Sequence, residues 1–505
     1  MRIKADNNYV MILGIGLLVY AGLFTAASLA RFYGLGSSVL DLGVFDQIFW
    51  YILHRGAPLS TINSPFIERH WFGFHFSPIL YALAPVYALL PYPQTLLVLN
   101  VLLVTSAAIP IYLTARHWQI SPGLALIWCA IFLVNPYVQG GVMWDFHEVA
   151  IAAPVMGFAL YAVAARRKVL FLCMLLLLLL CKEHYGLTIA GFGLLWAIQY
   201  REYRSGMTIS VLGIIAFIGI LCFLMPYFSH SDYMALQNNN PPHARFAWML
   251  HKDSMQNGII FVALSDVIYI GTLLWLFWFI FPLYAFVWLL PAAGDMAVNA
   301  LSYVGAMRSF YYYYSLSLMP VLIIAAMRGG LIYSHKKPKL KFSEITMLIF
   351  AANLLFGYIA SPLPLPYAAN IWETRFASLA RPYAENIAQI KTMFPEQKIL
   401  SVQDNIGSFF TRRAAIYQFP GGLDKADGVI LHLHLPFTHA LAILGPPFVI
   451  PTSKYISIVQ DLLKDKQWGI TYWQNGWLVL ERNKPSIPVN KADIQKVLDD
   501  MLAAQ

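Results

Sequence analysis

Long apolar runs separated by short polar segments dominate this chain. Residues 9–30, 94–115, 120–138 and 207–228 are runs of the ~20 residues that a helix needs to cross a hydrocarbon core. Shorter runs at 149–165, 169–181, 186–199, 311–327 and 345–360 continue the pattern. Residues 259–290 are long enough for a helical hairpin broken near Pro282. Together they predict about eleven spans. Residues 79–90 are apolar as well, but they are few and contain Pro85, which suits an interfacial or re-entrant piece.

Between the first two long runs lies an amphipathic stretch, Leu40-Asp41-Leu42-Gly43-Val44-Phe45-Asp46-Gln47-Ile48-Phe49-Trp50. Phe45, Ile48, Phe49, Ile52 and Leu53 share one helical face, as in a helix lying flat on a membrane. Asp41 stands in the N-cap position and Asp46 falls on the more polar side. From about Pro366 the pattern changes to that of a soluble domain. Residues 398–402, 428–433 and 477–481 read as buried strands, and 384–394 and 455–465 as helices between them. The predicted fold class is an α-helical polytopic membrane domain over 1–365, followed by an α/β domain over 366–505.

Composition sharpens this reading. Of 505 residues, 59% are hydrophobic and 12% charged, about half the charge of an ordinary soluble domain. The net charge of +9 comes largely from clusters between runs: Arg116-His117, Arg166-Arg167-Lys168, Arg201 with Arg204, and Lys336 to Lys341. With 79–90 kept out of the bilayer, all of them fall on one side, together with Arg2 and Lys4. The charge is therefore a topology signal rather than a nucleic-acid footprint. It puts the N-terminus in the cytoplasm, and the first loop (31–93) and the C-terminal domain outside the inner membrane. Residues 9–30 exceed a signal-peptide core and read as an uncleaved first span. The four cysteines lie in or beside apolar runs, so packing is their expected role, and the C-terminal domain has no disulfide framework.

With this topology, ionisable residues gather at the outer ends of spans. Asp41, Asp46, Arg69, His75, Asp145, His147, Lys182, Glu183, His184 and Arg308 are the candidates. Each has a plainer alternative. Asp41 can simply cap a helix, Asp46 can be solvated, and His75 can be an interfacial histidine. Asp145, His147 and Glu148 can cap a loop, and Arg308, before four tyrosines, can anchor at the membrane surface. Lys182 can pair with Glu183 or snorkel. Glu183, closing an unbroken leucine run, is harder to explain without a function. Acids and histidines together suit a divalent ion, but no HExxH spacing is present, and no GxSxG marks a serine nucleophile. Such a face suits transfer of a group from a lipid-linked donor. A carboxylate would serve as general base, and Arg69, Lys182 or Arg308 would hold the departing phosphate.

Four stretches together resemble a membrane protein family of bacteria and archaea called domain of unknown function 2079. They are Leu40 to Trp50, His75-Phe76-Ser77-Pro78-Ile79, Trp144-Asp145-Phe146-His147-Glu148 and Lys182-Glu183-His184. The resemblance covers nearly the whole chain. It implies a GT-C glycosyltransferase fold with a catalytic aspartate in the first outer loop. Asp41 matches that place best, with Asp46 in reserve, although Leu42-Gly43 stands where better-known enzymes carry a second acid. The expected activity is transfer of a sugar from a polyprenyl-phosphate donor, with membrane lipid as surroundings and an acceptor that the residues do not name. The alternatives are a transporter or flippase of lipid-linked glycan, or a partner protein in glycan assembly.

Overall fold

The computed structural model describes residues 7–62, 69–229, 259–302, 305–337, 340–366, 368, 381–435 and 451–503. Glu68 and the Asn238-Asn239-Asn240-Pro241-Pro242 stretch lie outside them. Among the described residues, five helices are long and apolar enough to cross a membrane: Asn7–Tyr33, Pro93–His117, Tyr203–Phe228, Leu318–Lys336 and Phe342–Ile359. Pro122–Val134 and Pro136–Met143, bent by 55° at their junction, make a sixth if taken as one span. The bend falls where Asn135 caps the second segment, its side chain accepting from the Tyr137 N–H, and where Pro136 cannot continue the first. The expectation of about eleven spans counted shorter runs too. Val149–Ala164, Lys168–Cys181 and Tyr185–Tyr200 are helices, but of 16, 14 and 16 residues. The run at 259–290 breaks ahead of Pro282, at Trp278 and Phe279, whose φ values are 58° and 42°. Pro282 itself sits in the first turn of the helix Ile280–Tyr284, where a missing N–H costs nothing.

The chain divides into two compact units, each discontinuous in sequence. The first holds residues 1–28, 72–83 and 97–374, and so most of the long helices. Its tightest helix pair is Tyr185–Tyr200 against Tyr203–Phe228. A Cβ on Gly186 would stand 2.6 Å from the Gly213 carbonyl oxygen, and one on Gly193 2.5 Å from that of Gly206. The two glycines on each helix are a heptad apart, so the backbones meet twice with no side chain between them. Without a hydrophobic drive between helices in lipid, such close approach is what holds a pair together.

The second unit holds residues 29–71, 84–96 and 375–505. Its sheet has the order β4-β3-β5-β7-β6, with β3 Leu400–Val402, β4 Ile416–Gln418, β5 Gly428–His432, β6 Trp468–Gln474 and β7 Trp477–Arg482. β3 runs parallel to β4 and β5, while β5–β7 and β6–β7 are antiparallel. The β6–β7 hairpin turns at Asn475-Gly476, both with positive φ (52° and 83°), as a two-residue type I′ turn requires. Helices Thr452–Lys464 and Lys491–Ala503 cover one face, with Val429, Leu431, Val459, Leu478, Leu480, Ile494 and Leu498 in the core.

The remainder of this unit comes from the first loop. Ser38 caps a π-helical turn, Val39–Gly43, its hydroxyl accepting from the Leu40 N–H. The helix Val44–Arg55 follows directly. Asp41 therefore lies inside the turn, and the cap assigned to it belongs to Ser38. Nor is the helix amphipathic in its surroundings. Val44, Phe45, Asp46, Gln47, Ile48, Phe49, Tyr51 and Ile52 are all buried, so the supposed polar side faces protein. Gln47 shows how. Its carbonyl accepts from the Ser60 hydroxyl (2.9 Å) and the Thr61 N–H (2.9 Å), and its amide donates to Thr61 Oγ1 (3.1 Å) and the Arg413 carbonyl (3.2 Å). Thr61 then accepts from the Ile416 N–H (3.0 Å) and donates to the Ile416 carbonyl (2.7 Å). A threonine side chain thus completes the first residue of β4 where no further strand lies, which blunts the sheet edge.

Two outcomes follow from this packing. Gln47→Leu leaves the Thr61 N–H and the Arg413 carbonyl buried without their partner and should lower unfolding stability by about 2–4 kcal/mol, read as an earlier denaturant midpoint. Gly193→Val drives a branched side chain into the Gly206 backbone and should abolish recovery of monodisperse protein in detergent, while Ser205→Val, beside Gly206 in the first turn of the facing helix, should leave it intact.

Candidate functional site

The sequence candidates fall into two groups, one in each unit. In the second unit, Asp46 is wholly buried. Its Oδ1 accepts from the Tyr87 hydroxyl and its Oδ2 from the Thr411 hydroxyl, both at 2.5 Å. Burial pushes its pKa up to about 6, against the pull of these two hydrogen bonds and of Arg412 and Lys391. Desolvation disfavours a carboxylate more than two neutral donors favour it. Asp41 is only partly buried, in the turn one helical step earlier. Arg69 is buried in β2 (Arg69–His70), which pairs with β1 (Leu59–Ser60). Nearby, Arg413 donates to the carbonyls of Phe410, Lys398, Pro395 and Phe394, so it is a backbone clamp.

The first unit gathers most of the other candidates around a single interruption. The leucine-rich helix Lys168–Cys181 ends at Lys182, whose backbone is extended, and the next helix begins at Tyr185. The three residues between them each take a different partner. Lys182 Nζ lies 2.8 Å from Glu148 Oε1, both side chains buried. Glu183 Oε1 lies 3.0 Å from His75 Nδ1, and its Oε2 accepts from the Phe76 N–H at 3.1 Å. His184 Nε2 lies 3.0 Å from Asp295 Oδ1, while Asp295 Oδ2 accepts from the Ser317 hydroxyl at 2.7 Å. Three ion pairs thus radiate from one three-residue segment, to Glu148 at the start of Val149–Ala164, to His75 and to Asp295.

Asp145 and His147 precede that same helix. The His147 ring stacks on Tyr313 with centroids 3.5 Å apart, and its Nδ1 lies 3.1 Å from the Asp145 carbonyl. Arg308 donates to the carbonyls of Ala300 and Ser302, closing the turn Gly305–Arg308 that follows the helix Ala293–Leu301. Asp295 and Ser317 were not among the sequence candidates. Asp295 stands in the first turn of its helix and reads there as a helix-dipole carboxylate. Nothing local announces a histidine 111 residues earlier as its partner. Among the described residues, no group of three or more His, Cys, Asp or Glu side chains is placed to hold a metal ion.

Comparison with known proteins sets these two groups in a lineage. The family model described as predicted membrane protein DUF2079 matches residues 31–479. No curated protein matches the chain. Among solved structures, that of ArnT from Cupriavidus metallidurans in the apo state superimposes with a TM-score of 0.53 at 14% identity, over 94% of this chain and 98% of that one. The same protein bound to undecaprenyl phosphate gives 0.52 at 14% identity, over 96% and 100%. At such identity the likeness concerns the fold alone. By its match over most of its length, the chain belongs to the DUF2079 family of membrane proteins.

Proposed function

We propose that the protein is a glycosyltransferase that moves a sugar from a polyprenyl-phosphate donor to an acceptor at the extracytoplasmic face of the cytoplasmic membrane. The observation that carries this reading is the buried ammonium of Lys182, set at the end of a leucine-rich helix. Keeping a cation there is costly and serves as a mark of function by default. Glu148 is the ion-pair partner described for it, and an ammonium has three donors, which leaves capacity for a phosphate oxygen. ArnT, with a similar fold, has been crystallised with undecaprenyl phosphate, a lipid of the class proposed as donor.

Asp41 is the proposed general base. It would take the proton of an acceptor hydroxyl as that oxygen bonds to the anomeric carbon and the bond from that carbon to the phosphate breaks. Asp46 is the lesser candidate, because both its oxygens are spent on hydroxyl donors. Of the remaining candidates, His75, Asp145, His147, Glu183, His184, Arg69 and Arg308 are assigned to substrate binding in this reading. The eleven-span topology with cytoplasmic N-terminus and extracytoplasmic C-terminal domain belongs to the same proposal, as does the division at residue 365.

Three measurements test it. Lys182→Met should weaken binding of undecaprenyl phosphate to nanodisc-embedded protein by at least about tenfold, roughly the worth of one charge-assisted hydrogen bond. Equal affinity in the variant would remove the phosphate role. Asp41→Asn should lower transfer of labelled sugar from isolated membranes by about 10²–10⁴-fold, with protein level unchanged. Lipid binding with no transfer in wild type would instead favour a non-catalytic carrier of lipid-linked glycan. Asp46→Asn should retain transfer but change the pH response. A carboxyl whose folded pKa is about 6 contributes stability that is complete below the unfolded value of about 3.9 and lost as pH rises through 6. Wild type should therefore lose melting temperature across that window more than the variant does.

A further inference from the structure

The carboxyl ends of β3 and β5 carry buried polar atoms that the fold does not use. β5 ends at His432, paired across the sheet with Trp477, the first residue of β7. His432 is 2% exposed and Trp477 0%. Neither imidazole nitrogen of His432, nor the indole N–H of Trp477, has a hydrogen-bond partner among the described residues. A neutral imidazole has one N–H and one lone-pair nitrogen, so this cross-strand pair holds two unspent donors and one unspent acceptor. Burying such groups unpaired is costly, and they ordinarily find a protein, water or ligand partner. His432 is neutral at physiological pH, since burial and the neighbouring His434 push its pKa down to about 4. Among the described residues, no carboxylate or ammonium acts on it.

The backbone around the pair, by contrast, is fully engaged. Gln403, just past β3, accepts from the His432 N–H (3.0 Å) and from the Tyr455 hydroxyl (2.8 Å), and donates to the Leu435 carbonyl (2.7 Å) and Asn405 Oδ1 (2.8 Å). The Leu433 N–H donates to the Gly476 carbonyl at 2.7 Å. Rings stand on three sides of the His432 imidazole: Trp477 at 4.9 Å, Tyr383 at 5.3 Å and His434 at 6.1 Å between centroids. Tyr383 is half-buried and His434 exposed, so these two form the solvent side. β3 lies between β4 and β5, both parallel to it. β3 is followed by β4 on one side and β5 by β6 at the far edge, so the connections from these two neighbours run in opposite directions, the place at which open sheets take ligands beyond their strand ends.

We propose that His432, Trp477, Tyr383 and His434 form a binding site for an uncharged sugar residue. Sugar hydroxyls both donate and accept, as the two unspent donors and one unspent acceptor require, and the C–H faces of a pyranose lie on aromatic rings. Among the described residues no charged side chain acts on His432, which favours a neutral ligand over a phosphate or an acidic sugar. This deepens the transfer reading by giving the acceptor glycan a docking place on the C-terminal domain.

The test is saturation-transfer NMR on the full-length chain in detergent, using methyl glucoside, methyl mannoside and methyl galactoside, with glucuronic acid as the charged comparison. At least one neutral glycoside should bind, with glucuronic acid weaker. His432→Phe keeps a ring and removes both nitrogens. It should weaken binding at least tenfold with a melting temperature equal to or above wild type. Trp477→Phe, which removes only the indole donor and some area, should weaken binding less. Absence of transfer to every neutral glycoside, or undiminished binding in His432→Phe, overturns the proposal and leaves water as the partner of these atoms. Binding is read without turnover, so a chain that binds sugar but transfers none spares this site and removes the enzymatic reading.

Discussion

A charge placed where an apolar helix ends must be neutralised close by, and much of the first unit is arranged around that requirement. Lys182, Glu183 and His184 interrupt the leucine run, and each reaches a different element: the start of Val149–Ala164, the segment at His75 and Phe76, and the helix Ala293–Leu301. Three ionisable residues in a row cannot all turn the same way, so the interruption becomes a junction that binds several helices. A buried pair is weak evidence of net stability, but losing one member leaves an uncompensated charge. The network is therefore intolerant of single changes, whatever chemistry it supports.

The second unit solves a different problem with neutral groups. A five-stranded sheet has an edge at β4, and an exposed edge invites pairing with other chains. Thr61 and Gln47 supply side-chain hydrogen bonds there, and Tyr51 donates to the Ala414 carbonyl at 2.5 Å. Ser38 adds a hydrogen bond to Asp404 Oδ1 at 3.0 Å, and Ser408 donates to the Ser38 carbonyl at 3.0 Å. Much of what reads as a loop between two spans, residues 29–71 and 84–96, belongs to one compact unit with residues 375–505.

How much of this is legible in the residues depends on how far apart the partners lie. Most apolar runs, the strands at 398–402, 428–433 and 477–481, and the helices at 384–394 and 455–465 stand in the structure within a few residues of their expected bounds, whereas the run at 311–327 becomes the helix Leu318–Lys336 and that at 259–290 breaks into shorter pieces. β4 is three residues long and too short to show alternation. β6 does not stand out in the hydrophobic pattern, although Asn475-Gly476 before Trp477 marks the hairpin that requires it. The polar side of Val44–Arg55 reads as solvated at Asp46 because its partners, Tyr87 and Thr411, lie 41 and 365 residues away. The cluster at Lys182 was visible as chemistry out of place, but Asp295 and Ser317 were not, since a carboxylate at a helix start and a serine have ordinary local explanations.

The hydrogen bond between Asp46 and Thr411 spans 365 residues of chain. At a synthesis rate of ~5–20 residues per second, the earlier partner waits roughly 20–70 seconds for the later one to be made. During that interval most of the apolar helices enter the bilayer while an acidic, hydroxyl-seeking segment stays unfinished beside them. The segment around Asp46 is thus sealed only once Thr411, made long after it, is in place. A nascent chain cut short before residue 411 would keep that segment open to surveillance proteases.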